Sequence, residues 1–77
     1  MISSMESRAR IYQLIDGERE RQNRIHPRDM GELSLPVLGE EFGEVCKAIF
    51  ESDEGELREE LVHVAAVCVR WLEELDK

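Results

Sequence analysis

Between Glu60 and Arg70 the chain reads LVHVAAVCV, nine positions interrupted only by His63. No stretch of useful length alternates apolar and polar residues with period two, so the run reads as helix. A helix that is apolar nearly all round is buried nearly all round. That demand is severe for 77 residues, because a chain this short builds one domain with a modest core and is marginal alone. It needs a disulfide, a metal or a partner chain to close the deficit.

The apolar spacing predicts three helices in a single helical domain over residues 1–77. Helix 1 runs from about Ser4 to Asn23. Ser3 with Glu6 fits a capping box, and Ile11, Leu14 and Ile15 give the i, i+3, i+4 stripe. Gly17 weakens this helix by roughly 1 kcal/mol relative to alanine. Residues 25–33, IHPRDMGEL, read as a loop closed off by Pro27. Helix 2 starts near Ser34, a good N-cap, tolerates Pro36 in its first turn and ends near Glu51. Its expected core stripe is Leu35, Leu38, Phe42, Val45 and Ile49. The turn SDEG follows, with Asp53 and Glu56 as a second capping box. Helix 3 continues to about Leu75 on a main stripe of Leu57, Leu61, Val64, Cys68, Trp71, Leu72 and Leu75.

Val62, Ala65, Ala66 and Val69 form a second apolar face on helix 3. The expected architecture is therefore all-α: three main helices per chain, helices 2 and 3 antiparallel across the short turn, and a multi-helix bundle completed by oligomerisation. A homodimer held by that second face, or a homotetramer, satisfies it.

Only two cysteines are present, Cys46 and Cys68, both in apolar helical runs. They read as reduced core thiols, not as a secreted disulfide framework. No apolar run reaches membrane-spanning length, and MISSMESRAR lacks the apolar segment of a signal peptide. The expected location is a reducing cytoplasm. A formal net charge of -8 disfavours duplex nucleic acid and anionic membrane surfaces as partners.

The charge is uneven. Residues 1–31 hold six arginines against five acids, whereas residues 40–60 hold nine acids against Lys47 and Arg58. On helix 2, Glu41 and Glu44 are three residues apart and lie roughly 60° apart on one side. Glu40 neighbours Glu44 at four residues. Like charges at this spacing repel, so water, arginines or a cation must compensate. On helix 3, Glu60 and His63 repeat the three-residue step. Antiparallel packing lets the four side chains Glu41, Glu44, Glu60 and His63 converge. Hard oxygen ligands on rigid helices suit Mg²⁺ or Mn²⁺, and magnesium usually completes its shell with water and substrate phosphates. The alternative is a set of solvated helix faces.

Glu40-Glu41-Phe42-Gly43-Glu44, a spacer, and Glu60-Leu61-Val62-His63 resemble the EExxE…ExxD signature of the MazG-type all-α nucleoside triphosphate pyrophosphohydrolases. The resemblance covers about Leu35 to Leu75, and RQNRIHP ahead of it looks like the basic segment of small phage-type members. It implies a helical bundle, usually dimeric or tetrameric, and Mg²⁺-dependent cleavage of an NTP or dNTP to the monophosphate and pyrophosphate. Carried over by position, Glu41, Glu44 and Glu60 are metal ligands, and Glu40 orients the attacking water or a second ion. His63 stands where the family has aspartate. As a ligand it suits Mn²⁺ or a softer ion better than Mg²⁺. It also fits a general base, a group behind the ligands, or a histidine bonded to a neighbouring glutamate for structure alone. The departure admits a member that binds nucleotides without cleaving them.

Arg21, Arg24 and His26 are candidate anion contacts, as is Lys47, one turn beyond Glu44 and equally able to pair with Glu44 or Glu51. Trp71 belongs with the core. A different metal chemistry is also open, because a glutamate plus Glu-x-x-His is the ligand style of ferritin-like di-metal bundles. A helical interaction module without metal is the non-enzymatic reading.

Overall fold

A computed structural model describes residues 4–27 and 34–77. Three helices account for almost all of them: α1 over Ser4–Ile25, α2 over Ser34–Phe50 and α3 over Glu54–Leu75. The described residues contain no strand. The Ser3–Glu6 cap and most of the expected loop lie outside them.

The α2–α3 turn is set by local chemistry. Ser52 takes a left-handed backbone, φ 56°. Asp53 N–H then donates to Ala48 O at 3.0 Å and Ser52 N–H to Ile49 O at 3.1 Å, the paired bonds of a Schellman C-cap. Asp53 at once caps α3, its Oδ1 accepting from the Glu56 N–H at 3.0 Å. The expected cap is present in this direction, while the Asp53 N–H serves the preceding helix. Two caps that meet at Asp53 fold α3 back along α2 as an antiparallel hairpin, the closest helix pair among the described residues.

α1 packs on α3. Contacts advance in the same direction along both helices, from Glu18 beside His63 to His26 beside Arg70. Ala66 is wholly enclosed between them, and Val62 and Ala65 are half-buried. The second apolar face of α3 is thus partly covered within the chain.

The expected stripes are displaced. The buried apolar residues are Val45, Ala48, Ala66 and Val67, small side chains that let the helices approach closely. With them are buried Gln22, Ser34, Glu60 and Arg70. Leu35, Phe42 and Ile49 are about two-thirds exposed, at 65, 60 and 59%. Leu61, Leu72 and Leu75, and Ile11 and Leu14 on α1, are also exposed. Cys46 is an exposed free thiol and not a core one; Cys68 is half-buried, as is Trp71. At about 100° per residue, the exposed stripes of α2 and α3 fall on one side of the hairpin. The acidic motifs and α1 fall on the other. The hairpin therefore has a charged face closed by α1 and a bare apolar face.

Candidate metal centre

Glu41 projects from α2, and Glu60 and His63 from α3, toward one point. One donor atom from each lies within 4.8 Å of the others. His63 Nδ1 is 3.4 Å from Glu41 Oε2 and 3.4 Å from Glu60 Oε2. The two halves of the acidic pattern meet because the hairpin sets α2 against α3, and Glu60 and His63 share a side of α3 at their three-residue step.

Glu60 is the buried member. Its Oε2 has no hydrogen-bond partner, which is costly for a buried polar atom. Burial, and then the nearby Glu41 carboxyl, push its pKa upward, and His63 partly offsets this. Glu56, one turn earlier, is also raised, by its hydrogen bond to Glu60. A cation would supply the missing partner and relieve the repulsion. Two carboxylates and an imidazole form a donor set that a first-row divalent ion accepts, so the residues present fit a metal.

The convergence does not extend to Glu44 or Glu40, which are exposed. Glu44 lines a separate small pocket with Lys47, Glu51, Asp53 and Glu56. Lys47 is thereby set apart from the three converging residues. Arg21 and Arg24 lie on the other side, where a groove of about 810 Å³ runs between α1 and α3. Ile11, Leu14, Leu61 and Val62 give it apolar walls, and His63 and Glu18 also line it. His26 contributes its backbone carbonyl to Arg70 at 2.6 Å.

Two residues of this region are not singled out by the acidic motifs. Arg58 joins Arg21 and Arg24 along the groove. Glu18 stands on α1 with its Oε1 3.8 Å from His63 Nε2. Arg21 donates to it twice, Nε to Oε1 at 2.7 Å and Nη2 to Oε2 at 2.9 Å. This pairing holds the Glu18 carboxyl below its ordinary pKa against the opposing effect of burial, and raises Arg21. The sequence does carry a signal for Glu18. It falls four and three residues after Leu14 and Ile15, so it continues the stripe of α1 that faces α3.

No helix among the described residues is long and apolar enough to cross a membrane. Comparison with protein-family models, curated proteins and solved structures finds no match to this chain.

Proposed function

We propose that this chain is a metal-dependent nucleoside triphosphate pyrophosphohydrolase, cleaving an NTP or dNTP to the monophosphate and pyrophosphate. The observation that carries the reading is the meeting of Glu41, Glu60 and His63 around an unpartnered buried carboxylate oxygen. Those three residues would hold the ion, Mn²⁺ or Mg²⁺. When bound, the ion supplies neutralisation of phosphate charge and a lowered pKa for an attacking water. Arg24 and Arg58 offer guanidinium groups to phosphate oxygens along the groove, and Arg21 does so while bonded to Glu18. The apolar walls suit a base. Glu40, solvent-facing beside Glu41, can accept a proton from water at the mouth of the site. Glu44 and Lys47 line the neighbouring pocket, apart from the three converging residues.

The bare face of the hairpin supports self-association. A second copy covering Leu35, Phe42, Ile49, Leu61 and Leu72 completes the bundle, and a homodimer is the smallest closed form. The cytoplasm is the compartment that suits two free thiols.

The test is a screen of four NTPs and four dNTPs with Mg²⁺ and with Mn²⁺, scored for pyrophosphate release. Release that vanishes in Glu41→Gln supports the reading. Metal binding without release supports the inactive nucleotide-binding module. The ferritin-like reading has its own support, since Glu41 and Glu60-x-x-His63 converge from two helices. It predicts iron and a visible absorption band in the purified protein.

A further inference from the structure

His63 lies between carboxylates from all three helices. Glu41 and Glu60 face Nδ1, each at 3.4 Å, and Glu18 faces Nε2 at 3.8 Å. Glu18 belongs to neither acidic motif. Its side chain is only 10% exposed, whereas that of Arg21, which grips both its oxygens, is 48% exposed. The carboxylate is therefore fixed in place from the solvent side, with its charge largely balanced.

A neutral imidazole that ligates through one nitrogen carries its proton on the other. The group accepting that proton decides which nitrogen stays free and how the ring is turned. We propose that Glu18 is the positioning residue of the centre: it accepts the Nε2–H of His63 and so leaves Nδ1 as the donor toward the ion shared with Glu41 and Glu60. This rests on the metal-centre reading above. Bringing 3.8 Å to an N–H···O distance takes about 1 Å of ring or carboxylate motion.

The pairing explains why position 63 is histidine. An aspartate there would set another carboxylate against Glu18, with no proton between them. A histidine turns that contact from repulsive to attractive and still presents a ligand on its far side. Glu18 is not itself placed to bind the same ion, because the ring stands between; Arg21 takes one acceptor site on each of its oxygens and leaves another on Oε1 for the ring.

The test is calorimetric Mn²⁺ binding to four full-length proteins: wild type, Glu18→Met, His63→Asp and the double variant. Methionine keeps the length and apolar stem of Glu18 but accepts no strong hydrogen bond, and Arg21 is exposed enough to be solvated alone. Glu18→Met should weaken Mn²⁺ binding roughly ten- to hundredfold in the wild-type background. In the His63→Asp background it should cost nothing or tighten binding. An equal loss in both backgrounds, or no loss in either, overturns the proposal. A second measurement needs no variant. Nitrogen-15 spectra of the wild-type ring with diamagnetic Zn²⁺ should show a proton on Nε2 and a metal-shifted Nδ1, and the reverse assignment overturns it. A wild type that takes up no metal in either experiment overturns the metal reading itself, and this proposal with it. Uptake that Glu18→Met leaves unchanged overturns only the role of Glu18.

Discussion

Arg70, buried on α3, donates from Nη2 to the backbone carbonyl of His26 at 2.6 Å, tying the end of α1 to the residue that closes the longest apolar run. The Arg19–Glu73 pair on the same two helices is bidentate, at 3.0 and 2.8 Å; Arg19 is largely buried while Glu73 is half open to water, which weakens the pair in part. Arg70 is the more deeply buried of the two arginines. Arg70→Met should cost about 1.5–3 kcal/mol, the range for a hydrogen bond from a charged donor. Amide exchange should speed up in α1 while α2 and α3 stay protected. Denaturant titration with residue-resolved exchange reads both effects.

Glu60 should trade stability against binding. In the metal-free protein its buried, partly unsatisfied carboxylate costs free energy. Glu60→Gln should raise the stability of the metal-free form by about 1–3 kcal/mol at neutral pH. Mn²⁺ should raise the thermal midpoint of the wild type by binding the folded state, and the same change should abolish that rise. A melting series with and without metal distinguishes this from a purely structural glutamate, whose loss would lower both midpoints.

The pH dependence of the metal-free protein has two opposed parts. Burial raises the folded pKa of Glu60, so its contribution is favourable at low pH. That contribution fades as pH rises from the ordinary carboxylate pKa through the raised one. Arg21 lowers the folded pKa of Glu18, so its contribution is present above the ordinary value and is lost as pH falls through the lowered one. Stability should therefore pass through a maximum in the mildly acidic range. Glu60→Gln should flatten the alkaline side only. Thermal midpoints from about pH 3 to pH 8 check the shape.

Self-association should depend on the bare hairpin face. Phe42→Arg should give a folded monomer, because Phe42 is 60% exposed and the charge stays in water. Ala66→Arg should unfold the chain itself, since Ala66 is enclosed between α1 and α3 and an unpaired charge there is costly. Light scattering with circular dichroism separates the two results. A wild type that stays monomeric at high concentration removes the dimer.

Ser52→Gly should stabilise by about 0.5–1 kcal/mol, because glycine takes the left-handed backbone of Ser52 without the Cβ penalty. A chemical denaturation curve with unchanged slope measures it.

The helix limits were legible because their signals are local. Ser34 begins α2 as spacing predicts, although its buried Oγ has no hydrogen-bond partner and makes no cap; Asp53 caps α3 and Leu75 ends it, within a residue or two of expectation. The choice of buried stripe was not. Leu35, Phe42 and Ile49 have the better hydrophobicity, but Val45 and Ala48 have the smaller volume, and the hairpin closes on them. Glu41, Glu60 and His63 could be read from two short motifs on neighbouring helices. Glu18 lies on the stripe of α1, but its meeting with His63 depends on where α1 docks, a long-range event that the stripe alone does not specify.

The two caps that meet at Asp53 also bear on the order of assembly. Glu41, Glu60 and His63 all belong to one hairpin, and contacts between segments close along the chain form early, since little loop entropy is lost in making them. α1 reaches α3 only through a longer connection and docks after it. The three converging side chains are therefore in register while the centre is still open on its α1 side. Under the metal-centre reading, these side chains would be open to an ion before α1 brings Glu18 against the imidazole.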